Sequence, residues 1–126
     1  MRGFGELEAV VMERIWASPE GATVPEVHEG LLSERDIAYT TVMSTIHNLY
    51  RKGRLTRTRE GRKHRYRATA SRAEHSADLM RDALHSGGDP YAILTHFVQQ
   101  MDAADSRHLA ELLTRSNEND TQDDRG

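Results

Sequence analysis

The chain has 126 residues, 37% hydrophobic and 29% charged, against roughly 45–50% and about 25% in ordinary globular chains; that allows one compact domain or two very small ones, with a thin core that a partner subunit would complete. The absence of cysteine excludes a disulfide framework, a thiolate metal site and a cysteine nucleophile, and no apolar run approaches the roughly 18–20 residues of a membrane span. The formal net charge of −3 hides an asymmetry: residues 1–70 sum to +3 and residues 71–126 to −6, and nine Lys and Arg with only one acid, Glu60, crowd into 51–67.

Residues 6–17 read as a helix, because Leu7, Val11 and Ile15 recur every four positions and Val10 fills the stripe. This opening is charged and amphipathic, unlike a secretory signal, so the expected location is cytoplasmic. Ser18-Pro19-Glu20-Gly21 breaks the helix. Thr23-x-x-Glu26 is a capping box with Pro25 in the tolerant first turn. It opens a second helix carrying Val24, Val27 and Leu31, which ends near position 33 or 34. After a loop through Asp36, a third helix covers 39–52, with Val42, Ile46 and Leu49 inward and Gly53 as its stop. The rest of that helix offers Tyr39, Thr40, Thr41, Met43, Ser44, His47, Asn48 and Arg51. A solvent-facing helix usually mixes both signs of charge, and this face has no acid.

Residues 55–59 and 63–67 alternate as strands do, around a turn at Glu60-Gly61-Arg62. His64 and Tyr66 share one face of the returning strand; Lys63, Arg65 and Arg67 share the other. Ser71-x-x-Glu74 then caps a helix reaching about 85, with Ala73, Ala77, Met80 and Leu84 on its apolar side. Gly87-Gly88-Asp89-Pro90 ends it. A helix over 91–101 carries Ile93, Leu94, Phe97, Val98 and Met101, and a short one over 104–114 carries Leu109, Leu112 and Leu113. The polar, acidic residues 116–126 read as a disordered tail. The expected fold is mainly α with a small β-hairpin wing: a winged helix-turn-helix domain at 1–70, a helical dimerisation segment at 71–115 and the tail at 116–126.

The order of elements points to double-stranded DNA. The third helix can enter the major groove, where His47 and Asn48 can bond base edges and Thr40, Thr41 and Met43 can meet a thymine methyl. A basic hairpin next to it can lie along phosphates, with Arg59, Arg62, Lys63, Arg65 and Arg67 supplying affinity that does not depend on sequence. The competing readings are a hairpin that is merely solvated, and one that grips an acidic protein. Residues 71–114 hold about a dozen large apolar side chains, too few for a core of their own, since segments below about 40–50 residues rarely bury enough surface. They pack on the first domain or on a second copy. The second copy is favoured, with Ala77, Met80, Leu84, Ile93, Leu94, Phe97, Leu109 and Leu113 in the interface. A two-fold axis would then set two recognition helices about 34 Å apart.

No Gly-rich phosphate loop, Ser/His/Asp set or paired carboxylates stand out, so no enzymatic activity and no cofactor are expected. None of the seven histidines forms His-x-x-x-His. His75, Asp78, Asp82 and His85 fall near one helical face, which leaves a metal- or small-molecule-responsive regulator as the alternative function.

Four stretches in order resemble the penicillinase repressor family of winged-helix regulators. They are GELEAVVMERIW at 5–16, TVPEV at 23–27, AYTTVMSTIHNL at 38–49 leading through Arg51-Lys52-Gly53 into the wing, and His64-Arg-Tyr66 on the returning strand. Residues 89–99, with Thr95-His-Phe-Val98, resemble the family's dimerisation segment; the likeness spans 4–114. The resemblance implies a transcriptional repressor that binds a palindromic operator as a homodimer. Its targets would be β-lactamase or other genes, under a membrane sensor peptidase pathway. It further implies release by cleavage before a phenylalanine, which matches the bond between His96 and Phe97. Met43 and Asn48 stand where some members have basic residues, so the operator sequence does not transfer. The cysteine cluster of the copper-responsive branch is missing.

Overall fold

The structure is a computed structural model. It describes residues 3–125, and side-chain surroundings for 3–120. The elements in chain order are α1 (Glu6–Trp16), β1 (Ala22–Thr23), α2 (Val24–Leu32), α3 (Tyr39–Arg51), β2 (Leu55–Glu60), β3 (Lys63–Ala68), α4 (Arg72–Ser86), α5 (Pro90–Gln100) and α6 (Ala103–Arg125). The sheet is antiparallel in the order β1-β3-β2. Three helices and this sheet make a winged helix, and further helices follow it.

Local chemistry accounts for the element ends. The Thr23 hydroxyl accepts from the Glu26 N–H at 3.3 Å, and the Glu26 carboxylate accepts from the Thr23 N–H at 2.8 Å, so two otherwise orphaned donors at the start of α2 are satisfied. Gly53, at φ +80°, ends α3. Its N–H bonds the Tyr50 carbonyl at 3.0 Å and the Arg54 N–H bonds the Leu49 carbonyl at 2.9 Å, the paired closure of a Schellman motif. Gly61 at φ +66° occupies the first position of a two-residue hairpin turn, where a left-handed residue is needed.

The core joins α1, α2 and α3 to the sheet. Val11, Met12, Ile15, Val27, Leu31, Val42, Ile46, Leu49, Leu55, Ala22 and Tyr66 are buried in one cluster. On α1 the inward stripe is rotated from the expected one: Met12 is buried, whereas Leu7 and Val10 are half-buried. β1 is a further difference. Its two residues pair with β3 as Ala22↔Tyr66 and Thr23↔Arg65, and a two-residue strand leaves no alternation to read.

The chain divides into two compact units between Arg81 and Asp82, later than the expected boundary at 70/71. The start of α4 belongs with the winged helix for identifiable reasons. The Trp16 indole Nε1–H donates to the Ala70 carbonyl at 2.9 Å. Phe4 stacks on His75 with ring centroids 4.2 Å apart, and Arg72 pairs with Glu13. In the second unit, Asp89 caps α5 by accepting from the Tyr91 N–H at 3.0 Å, with Pro90 at the first helical position. α6 runs to Arg125, where a disordered tail at 116–126 is expected from composition. Asp102 caps it through the Asp105 N–H at 2.7 Å, and no proline or glycine interrupts Ala103–Arg125. A polar sequence without breakers can continue a helix already begun, because each added residue fixes one backbone unit and gains one bond. Gly126 lies outside the described residues.

Candidate nucleic-acid interface

α3 is amphipathic in the way its sequence implies. Val42, Thr45, Ile46 and Leu49 are buried, while Tyr39, Thr40, Thr41, Met43, Ser44, His47, Asn48 and Arg51 are all exposed. Thr45 escapes the polar face because its hydroxyl donates to the Thr41 carbonyl at 2.8 Å. No acid occurs anywhere on the helix. Its N-terminal end is braced by His28, whose Nε2 lies 2.9 Å from the Ile37 carbonyl oxygen and whose ring meets Tyr39 edge-on at 5.5 Å.

The wing register assigns its side chains to faces. Arg57 is opposite Tyr66 and Arg59 opposite His64, so these four share one face. Thr56, Thr58, Glu60, Lys63, Arg65 and Arg67 share the other. Tyr66 is buried and meets Tyr50 of α3 edge-on at 6.2 Å, so the first face is the one turned toward α3. Tyr39, Met43 and His47 of α3 line a cleft with Arg57, His64 and Tyr66, and Arg62 and Lys63 complete it at the wing tip.

The expected wing cations therefore differ in situation. Arg62 and Lys63 are exposed at the turn, with no carboxylate within 4.0 Å among the described residues. Among the described residues the Arg59 guanidinium donates to the Gly61 carbonyl at 3.1 Å, and that of Arg67 to the Thr58 hydroxyl at 3.1 Å. Arg65 is engaged inside the domain. It makes a two-pronged pair with Glu60 at 2.7 and 3.2 Å, and it also reaches Glu26 at 3.0 Å and the Gly21 carbonyl at 3.2 Å. The hydrogen bonds from Arg65 hold the Glu60 carboxyl below the usual range, and those to Glu60 raise the guanidinium pKa in return. Glu26 is lowered first by the Thr23 N–H and further by Arg65. Arg65 thus ties the wing to the start of α2. Lys52 is likewise spent on Glu8 at 2.8 Å, which lowers that carboxyl.

Two cleft residues, Arg57 and His64, were not among the expected contacts. The alternation of β3 did separate His64 from Lys63, Arg65 and Arg67; what it lacked was which of the two faces meets α3.

The proposed interface residues of the C-terminal helices remain largely uncovered. Met80, Phe97 and Leu113 are 57%, 41% and 56% exposed, Ala77 and Leu94 are also exposed, and Leu84, Ile93 and Leu109 are half-buried. Tyr91, Val98 and Leu112 are exposed apolar groups beside them in sequence. The alternative ligand group is not gathered: His75 is stacked on Phe4, Asp78 pairs with Arg81 at 2.8 Å, and no set of three His, Cys, Asp or Glu able to hold a metal exists among the described residues. Among those residues no helix is long and apolar enough to cross a membrane.

Comparison with known proteins agrees with this geometry. The penicillinase repressor family model matches residues 4–115. The chain is 44% identical over 115 residues to a protein named transcriptional regulator BlaI from Mycobacterium tuberculosis, strain CDC 1551 / Oshkosh, covering 86% of this chain and 83% of that one. The same figures hold for the protein of that name from strain ATCC 25618 / H37Rv. With a match across nearly its whole length and a winged helix in place, the chain belongs to the penicillinase repressor family.

Proposed function

We propose that the protein is a transcriptional repressor that binds operator DNA as a homodimer. The observation that carries this reading is the cleft itself. An exposed, acid-free helix face adjoins wing cations that no carboxylate among the described residues neutralises, while Glu60, the one acid of the wing, is taken by Arg65. α3 enters the major groove, where Thr41, His47 and Asn48 read base edges and Met43 meets a methyl group. Arg59, Arg62, Lys63 and Arg67 lie along phosphate and release counterions.

The homodimer rests on apolar surface. α4 and α5 contain no buried residue, yet they present Met80, Tyr91, Leu94, Phe97 and Val98 to solvent. Exposed large apolar side chains in this number mark an interaction site when they gather into a patch, and a two-fold pair suits a palindromic operator. Release by signal-dependent proteolysis would cut His96–Phe97, a bond inside α5. A protease binds its substrate extended, so this turn, including the 2.8 Å bond from the Thr95 hydroxyl to the Tyr91 carbonyl, must open first.

The test is a footprint of the purified protein on the DNA upstream of its own gene, repeated at rising salt. A protected, two-fold symmetric site is expected, with affinity falling by about 10³–10⁵ between 50 and 200 mM salt if about 6–10 phosphates are contacted. Salt-independent binding, or none, would reject the reading.

A further inference from the structure

We propose that Arg57, held in place by Tyr50, is a phosphate contact on the recognition-helix side of the wing, and that Arg65 is not one. This inference rests on the DNA-binding reading above and identifies which cations of that site meet the polyanion.

Three observations converge on Arg57. Its register opposite Tyr66 puts it on the wing face turned toward α3, and it lines the cleft together with Met43 and His47. Its guanidinium carbon lies 4.2 Å from the centre of the Tyr50 ring. It is half-buried, yet it makes no hydrogen bond and has no carboxylate within 4.0 Å among the described residues. Stacking on an aromatic face fixes the plane of a guanidinium and satisfies none of its five N–H donors. An arginine held by its face alone therefore offers its donor edge to whatever fills the cleft, with little side-chain freedom left to lose on binding. A phosphate oxygen matches that edge in charge and geometry. Tyr50 is itself anchored edge-on against buried Tyr66, so the support is part of the core.

Arg65 is the opposite case. It lies on the other face of the wing, and its donors are taken by Glu60, Glu26 and the Gly21 carbonyl. To meet phosphate it would have to abandon two carboxylates. It is a positioning residue that holds the wing at the angle from which Arg57 faces the groove.

The salt dependence of binding to a duplex of about 30 base pairs separates these roles. Each phosphate contact contributes about 0.9 to the slope of log K against log salt. Arg57→Gln removes one contact from each protomer of the homodimer, so it should lower that slope by about two and weaken binding to any sequence by about 10- to 30-fold near 0.2 M salt, and Arg57→Lys should restore the slope. Tyr50→Leu keeps the charge but frees it, so affinity should fall, and Tyr50→Phe should rescue it. Arg65→Ala should lower affinity while leaving the slope within a few tenths of the parent value. A parent protein with a steep slope whose Arg57→Gln and Arg57→Ala variants keep it, while both melt like the parent, would overturn this inference and leave the repressor reading intact. A slope lost in Arg65→Ala instead would reverse the assignment. A parent that does not bind duplex DNA would overturn the repressor reading itself.

Discussion

Replacing Gly21 by alanine should damage the domain far more than the same change at Gly53, although the two backbones are almost alike. Gly21 has φ +84° and Gly53 φ +80°, so each substitution incurs the left-handed penalty of a Cβ, about 1–2 kcal/mol. The surroundings differ. A Cβ on Gly21 would lie 2.4 Å from the Tyr66 carbonyl oxygen and 2.7 Å from Arg67 Cγ, whereas one on Gly53 meets nothing within 4 Å. The first obstacle is backbone of β3, so β1 must move off the strand it pairs with, an overpacking cost of about 1–3 kcal/mol. The totals are about 2–5 kcal/mol for Gly21→Ala and about 1–2 kcal/mol for Gly53→Ala. At about 4–8 °C per kcal/mol in a domain of this size, thermal melting followed by circular dichroism should show the gap directly. The displaced Gly21 carbonyl is also an acceptor for Arg65 at 3.2 Å. Gly21→Ala should therefore weaken duplex binding at temperatures well below its melt, and Gly53→Ala much less. Equal melting temperatures for the two variants would show that the approach of β1 to β3 contributes nothing, and the account of how the wing is anchored would fail with it.

Asn48→Ala should change which base is preferred at one operator position, by about 1–3 kcal/mol, while Arg62→Ala weakens all sequences alike; competition binding with single-position operator variants distinguishes them. Phe97→Asp should yield monomers by analytical ultracentrifugation and reduce affinity for a two-half-site duplex by about 10²-fold or more with half-site affinity unchanged; a variant that stays dimeric would remove Phe97 from the interface. Glu8, Glu26, Glu60 and Glu74 all have carboxyl pKa values below the ordinary 4.5 in the folded protein. A depressed folded value means a contribution fully present above 4.5 and lost as pH falls through the lowered values. Melting temperature should therefore drop below pH 4.5, and Glu26→Gln combined with Glu60→Gln should flatten that drop.

The helices of the winged domain were legible because each combines a periodic apolar stripe with a chemical stop. Val42, Ile46 and Leu49 ahead of Gly53 fix α3 to within a residue. The hairpin was legible from its alternation and from Gly61. What escaped was set by contacts between distant residues. β1 is a strand only because β3 lies beside it, and Gly21 carries no visible sign that a carbonyl 45 residues away leaves no room for a side chain. The start of α4 reads as a new segment opened by the capping box at Ser71 and Glu74, but Phe4, Glu13 and Trp16 claim it for the first unit. The length of α6 was missed for a different reason: composition reports how little apolar surface a stretch can bury, and says less about whether a capped helix has anything to stop it.

The site shows the same division at the level of single charges. A run of nine basic residues points to a polyanion-binding surface, but counting them treats every cation as free. Two of the nine are not: Lys52 is held by Glu8 and Arg65 by Glu26 and Glu60, and the pairs involving Glu8 and Glu26 join residues 44 and 39 positions apart. Pairing removes a cation from the counterion balance with DNA even though it stays near the groove, because the acid must be released before phosphate can take its place. Arg57 shows the converse. On sequence it is one basic residue among many on a strand, and only the ring of Tyr50 and the face shared with Tyr66 distinguish it. The electrostatic footprint is thus a property of composition, while the assignment of each charge to folding or to binding is a property of the register and of which carboxylates the fold brings within reach.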